Sequence, residues 1–259
     1  MNECNSALFV VEFQSETETV NRLTSRRMNT AMRIFILGDS TSMTYAAADA
    51  PKAGWGQFLG EYFLRDAAII NHAIGGRSTK SFISEGRLLR VEEELQPGDY
   101  ALIQFGHNDS TISLVWRRTF PWTSFVNNLL LMACAVRHRG AFPVLMTPVC
   151  QRVFNTEGKI EDTFAEYVQA VRKLAQTENI PLLDMRIKTM ELLKELGAEK
   201  SRELYMHLPP GEWPAWPDGL SDNTHTRVEG AKAFAGLLAS CIRESSLELK
   251  NWLKEEIHD

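Results

Sequence analysis

The chain has 259 residues, 44% of them hydrophobic, and a net charge of -5 at neutral pH. That length supports a full core, in one large domain or two small ones. With no block of Lys or Arg, the charge balance excludes a nucleic-acid footprint. The longest apolar stretches fall short of the roughly 20 residues a membrane-spanning helix needs.

The first thirty residues hold the run ALFVVEF, then acidic and polar residues, then SRRMNTAMR. A secretory signal has the opposite order, with positive charge first and small residues after the apolar run. Residues 1–31 are therefore expected to be a disordered leader, with Met28 or Met32 as the functional start and a cytoplasmic location. Residues 32–259 are expected to be one domain with a C-terminal helical tail.

Short apolar runs follow, each ending near Gly, Asn, Pro or Asp. They predict strands at Arg33–Leu37, Ala68–Asn71, Tyr100–Phe105, Pro143–Thr147 and Pro181–Asp184. Amphipathic stretches between them predict helices at Gly56–Arg65, Arg87–Leu95, Trp122–Arg139, Thr163–Glu178, Met185–Leu196 and from Arg227 onward. Strands alternating with helices of this length imply βαβ units and a parallel α/β sheet. Strands this apolar suit a sheet covered on both faces. Thr226-Arg227-Val228-Glu229 reads as a capping box for the last helix. Beyond a break at Ser245-Ser246, Leu249, Trp252, Leu253 and Ile257 form an apolar face that packs on the domain. Monomer and homodimer both stay open. Cys4, Cys134, Cys150 and Cys241 form no CxxC pair and read as buried free thiols.

Four polar segments interrupt this pattern. GDSTS follows strand one and carries Ser40. NHAIGGRSTKSF follows strand two and carries Gly75-Gly76, with Ser78 placed to cap a helix. FGHND follows strand three and carries His107 and Asn108. DGLSDNTHTRVEGA carries Asp222 and His225 in a polar loop ahead of the last helix. Alone, each is an ordinary turn or loop. Together they fill every role in acyl transfer. Ser40 is the candidate nucleophile, His225 its base, and Asp222 the group that orients the base. The N–H groups of Ser40 and Gly76 and the Asn108 side chain are candidate donors to an oxyanion. No HxxEH, HExxH or other metal spacing is present, so no metal or cofactor is expected.

These segments resemble the four blocks of the SGNH (GDSL) hydrolases, with Ser40, Gly76, Asn108 and His225 at the positions that name that family. GDST, the following GWGQ at Gly54–Gln57, GGRS and DNTH are similar to its rhamnogalacturonan acetylesterase group. So are PVLMTPV (Pro143–Val149) and EKSRELYMHLPPGEWP (Glu199–Pro214). The resemblance runs from Met32 to about Ile242. It implies a three-layer α/β/α sandwich on a five-stranded parallel sheet ordered 2-1-3-4-5, flavodoxin-like. It also implies metal-free deacetylation of pectin-derived sugars through an acyl-enzyme that water releases.

Members that act on whole pectin are generally secreted, so the expected substrate here is an acetylated oligosaccharide inside the cell. The segment STISLVWRRTFPWTS after GHND departs from the group's pattern and places Trp116, Arg117 and Arg118 at the rim. Tyr205, Trp213 and Trp216 are read equally as sugar-stacking or packing residues, and Arg77 as a uronate contact or a structural ion pair. Two alternatives stand beside the main reading. One is an SGNH esterase for another acyl substrate, such as acetylated xylan or a small lipid ester. The other is a non-catalytic sugar-binding protein.

Overall fold

The structure is a computed structural model in which residues 31–255 are described. The leader, Cys4 and Ile257 lie outside the described residues. A compact unit begins at Met32.

Its centre is a parallel sheet of five strands: β1 (Met32–Gly38), β2 (Ala67–Asn71), β3 (Tyr100–Gln104), β4 (Phe142–Met146) and β5 (Leu182–Leu183). Their spatial order is β2-β1-β3-β4-β5, the order the resemblance implies. All four pairings are parallel, with Ile36 opposite both Asn71 and Leu102. Side chains alternate across a strand, so β1 feeds two cores. Ile34 and Ile36 enter one, and Phe35 and Leu37 the other, all at 0% exposure. That double burial explains why β1 reads as an unbroken apolar run.

Helices cover both faces. Helices α1 (Thr79–Ser84), α2 (Arg87–Glu94), α3 (Val126–His138) and α4 (Ala165–Thr177) close the Phe35 side. Helices α5 (Met185–Lys200) and α6 (Val228–Glu244) close the Ile34 side. The order reverses between β1 and β3, and the crevice at the carboxyl ends of those two strands is where such sheets bind ligands.

Several local expectations change. Gly56–Arg65 forms two 3₁₀ turns, Trp55–Gln57 and Leu59–Tyr62, instead of a helix. Gly56 lies so close to the Ser42 backbone that a Cβ would sit 2.3 Å from its carbonyl oxygen. The chain is thereby tied to the loop after β1. Pro121 opens a π-helical turn, Pro121–Phe125, so α3 starts only at Val126. Residues 220–227 are a strand and not a loop: β7 (Leu220–Arg227) pairs antiparallel with β6 (Tyr205–Leu208) and with the two-residue strand Lys52–Ala53. The expected capping box at Thr226 is absent for this reason. Thr226 belongs to β7, and its hydroxyl donates to the Ala53 carbonyl at 2.7 Å. Arg227 is the N-cap and makes no side-chain cap bond, while the Glu229 carboxylate pairs with Arg227. The tail does break at Ser245, but then forms a 3₁₀ turn, Glu248–Trp252, that buries Leu249 and Leu253. Cys150 and Cys241 are buried free thiols as expected, but Cys134 is exposed. Apolar side chains occur around most of α3, so periodicity did not mark its outer face.

Candidate active site

Ser40 sits in a turn that Asp39 builds. The Asp39 carboxylate accepts from the Thr41 N–H at 2.9 Å and the Thr41 hydroxyl at 2.8 Å. Its carbonyl accepts from the N–H groups of Ser42 and Met43 at 3.2 and 3.1 Å. Short Asx bonds of this kind favour turns over continued strand. Gly38 lets the turn close, since a Cβ there would lie 2.3 Å from the Ser42 Oγ. The Tyr45 hydroxyl donates to the Ser40 carbonyl at 2.9 Å. Ser40 is left 8% exposed.

Strand β7 brings the other two groups. The His225 Nε2 lies 2.9 Å from the Ser40 Oγ, and the His225 Nδ1 lies 2.6 Å from the Asp222 Oδ2. A carboxylate can only accept, so in the neutral imidazole Nδ1 carries the proton and Nε2 is free to accept from Ser40. The second Asp222 oxygen accepts from the N–H groups of Thr224 and His225 at 2.7 and 3.1 Å. Burial pushes the Asp222 carboxyl up, but His225 and these amides outweigh it and hold it at about 2. The strand is pinned from β4's following loop: Gln151 donates to the Thr224 hydroxyl at 2.7 Å and Arg152 to the Asn223 side chain at 2.9 Å.

The loops after β2 and β3 border the same serine. A Cβ on Gly75 would lie 3.7 Å from the Ser40 Cβ. Gly76 has φ +78°, a conformation that glycine adopts at no steric cost. Asn108 donates one amide hydrogen to the Arg77 carbonyl at 2.9 Å, leaving its second donor for a ligand. Just beyond, Ser78 and Ser81 form the capping box of α1. The five residues singled out from the sequence are thus brought to one edge.

Other groups at this edge were missed. Trp55 donates to Gln104 at 2.7 Å, Gln104 to the Thr41 hydroxyl at 3.2 Å, and Thr41 to Asp39. His107 Nδ1 faces the Asp39 carboxylate at 3.3 Å. Burial pushes the Asp39 carboxyl up, but His107 and Thr41 bring it below its ordinary value. A polar Gln104 ending an apolar strand was the one sequence signal for this network. Among the aromatic candidates, Tyr205 is fully buried and donates to the Cys150 carbonyl at 2.7 Å, so it is a packing residue. Trp213 and Trp216 are half-buried and bridge to each other. Arg77 pairs with Glu85 at 3.1 Å and donates to the Gly75 carbonyl, which makes it structural. Arg117 donates to the Gly76 carbonyl and the Thr111 hydroxyl, while Trp116 is 52% exposed. Among the described residues, no group of three or more His, Cys, Asp or Glu is placed to hold a metal ion, and no helix is long and apolar enough to cross a membrane.

A serine contacting a histidine that contacts an aspartate, at the edge of a parallel sheet, is the arrangement of a serine hydrolase. The chain belongs to the GDSL-like lipase/acylhydrolase family, whose model matches residues 36–233. It is 42% identical to the rhamnogalacturonan acetylesterase RhgT of Bacillus subtilis over 87% of this chain and 96% of that protein. It is 35% identical to the probable rhamnogalacturonan acetylesterase YesY of the same organism, over 87% of this chain and 99% of that one. The crystal structure of YxiM from Bacillus subtilis superposes with a TM-score of 0.73 at 26% identity, covering 85% of this chain and 58% of that one.

Proposed function

We propose that the protein is a serine carbohydrate esterase that removes O-acetyl groups from rhamnogalacturonan-derived, that is pectin-derived, oligosaccharides. The observation that carries this is the contact series Asp222–His225–Ser40, at 2.6 and 2.9 Å, in a chain similar over 87% of its length to a named rhamnogalacturonan acetylesterase.

His225 takes the Ser40 proton as the oxygen attacks the acetyl carbonyl. Asp222, ionised down to about pH 2, holds the imidazole tautomer and offsets the imidazolium charge. The N–H groups of Ser40 and Gly76 and the free Asn108 donor receive the oxyanion. His225 then protonates the departing sugar hydroxyl, and water repeats the sequence to release acetate. No metal or organic cofactor takes part in this scheme. The cytoplasmic location expected from the sequence belongs to the same proposal.

The test is acetate release from acetylated rhamnogalacturonan oligomers and polymer by the wild type and by Ser40→Ala. The wild type releases acetate, and the variant folds but does not. A Ser40→Ala protein with wild-type turnover would remove the assignment.

A further inference from the structure

Lys52 carries a cation that, among the described residues, has ring contacts but no hydrogen-bond acceptor and no ion pair. It pairs with β7 opposite Arg227, two residues past His225, in the strand Lys52–Ala53. Its ammonium lies 5.1 Å from the centre of the Tyr45 ring and 5.9 Å from that of Trp216. Both rings are fixed. The Tyr45 hydroxyl donates to the Ser40 carbonyl, and the Trp216 indole N–H donates to the Asp49 carbonyl at 3.4 Å.

Lys52 is half-buried, and burial lowers its pKa against the opposing fields of Asp222 and Asp49. Ring faces attract the charge, but an ammonium has three N–H donors that want oxygen acceptors. Its contacts among the described residues are to the two rings, with no acceptor atom and no carboxylate in ion-pair contact. A partly desolvated cation with open donors, linked to the nucleophile's turn through Tyr45, can take an anion from outside.

We propose that Lys52, held between Tyr45 and Trp216, binds the carboxylate of a uronic acid unit in the acetylated substrate and so selects acidic saccharides for Ser40. The proposal rests on the esterase reading above. The flanking rings offer flat apolar surface to the C–H face of a pyranose. The nearby Asp222 and Asp49 oppose a multiply charged anion, which favours a single carboxylate over a phosphate.

The experiment compares kcat/KM on two acetylated oligosaccharides of equal length. One keeps its uronate carboxylates, and in the other they are reduced to neutral alcohols. Wild type and Lys52→Met are run on both, with p-nitrophenyl acetate as a wild-type control. The wild type prefers the acidic member by about 10-fold or more, the size expected for one charge-assisted hydrogen bond. Lys52→Met brings the ratio close to one, and Lys52→Arg keeps most of it. As a measurement independent of any variant's folding, free galacturonate inhibits wild-type p-nitrophenyl acetate hydrolysis more strongly than galactose does.

A folded Lys52→Met that keeps the acidic preference overturns the assignment. So does an active wild type with no preference, or equal inhibition by the two sugars; the esterase reading survives all three. A wild type inactive on both oligosaccharides and on p-nitrophenyl acetate overturns the esterase reading, and Lys52 with it.

Discussion

His107 Nδ1 stands 3.3 Å from the carboxylate of Asp39, and each residue immediately precedes a group of the site: Asp39 precedes Ser40, and His107 precedes Asn108. The contact ties the turn after β1 to the turn after β3, the two strands flanking the point where the sheet order reverses. Both side chains are nearly sealed from water, at 0% and 4% exposure. The turns that carry the proposed nucleophile and the proposed oxyanion donor are thus joined by one buried polar contact.

His107→Gln removes the imidazole that faces the buried Asp39 carboxylate. Leaving a buried polar group without its partner typically costs about 1–3 kcal/mol. The variant should lose stability on that scale in urea unfolding. Its folded fraction should show a lower kcat with KM little changed, because both side chains are buried. A variant as stable and as fast as wild type would show that the contact does not position the turns.

Asn108→Ala removes a proposed donor to the oxyanion and the bond to the Arg77 carbonyl. The first loss typically costs about 10²–10³ in kcat, and the second about 1 kcal/mol of stability. Turnover of p-nitrophenyl acetate should fall by two to three orders of magnitude on the same basis, with only a modest drop in melting temperature. A loss of activity confined to KM would argue that Asn108 binds the ground state instead.

The parallel sheet was readable because five apolar runs and the helices between them carry the periods of a doubly covered sheet, while its strand order came from the resemblance to the SGNH hydrolases. The candidate set Ser40, Gly76, Asn108, Asp222 and His225 could be proposed from the sequence because each stands just past a strand or ahead of the last helix, in a short polar segment, and the structure brings Ser40, His225 and Asp222 into contact. The second sheet was not readable. Strand β7 is polar at Ser221, Asp222, Asn223, Thr224 and His225, and its partners are far apart in sequence, at Lys52–Ala53 and Tyr205–Leu208. The same pairing took Thr226 away from the helix cap. The Trp55–Gln104–Thr41–Asp39 series was hidden for a related reason: its members come from three separate segments, and only the folded sheet end brings them together.

Asp109 gives the fold a pH dependence of its own. It is fully buried, and burial raises its carboxyl to about 7 despite bonds from the Thr79 and Thr119 hydroxyls and the Thr79 N–H, with the Asp39 charge adding to the rise. An unfolded Asp titrates near 3.9. Between about pH 4 and 7 the folded state therefore holds a proton that the unfolded state has lost, and stability falls as pH rises. Asp109→Asn removes this titration. The drop in melting temperature from pH 5 to pH 8 should be smaller in the variant than in wild type, and equal drops would place the titrating group elsewhere.

Gly230→Ala should carry a packing error into the site. In an exposed helix interior this exchange gains up to about 1 kcal/mol. Here a Cβ would lie 2.0 Å from the Leu204 carbonyl oxygen and 2.8 Å from its carbon, so the backbone of α6 must move. Gly230 is the third residue of that helix, which β7 enters directly, five residues after His225. Overpacking of this kind costs about 1–3 kcal/mol. A shift of about 1 Å in a catalytic group can cost about 10²-fold, so kcat should fall beyond what the lost stability explains. Gly236→Ala is the matched control in the same helix. The nearest neighbours of its Cβ would all be Tyr62 side-chain atoms, the hydroxyl closest at 2.9 Å, and that side chain can swing aside. Melting temperature and kcat should therefore drop much less at 236 than at 230, and equal effects would mean that the approach of α6 to Leu204 does not set the His225–Ser40 distance.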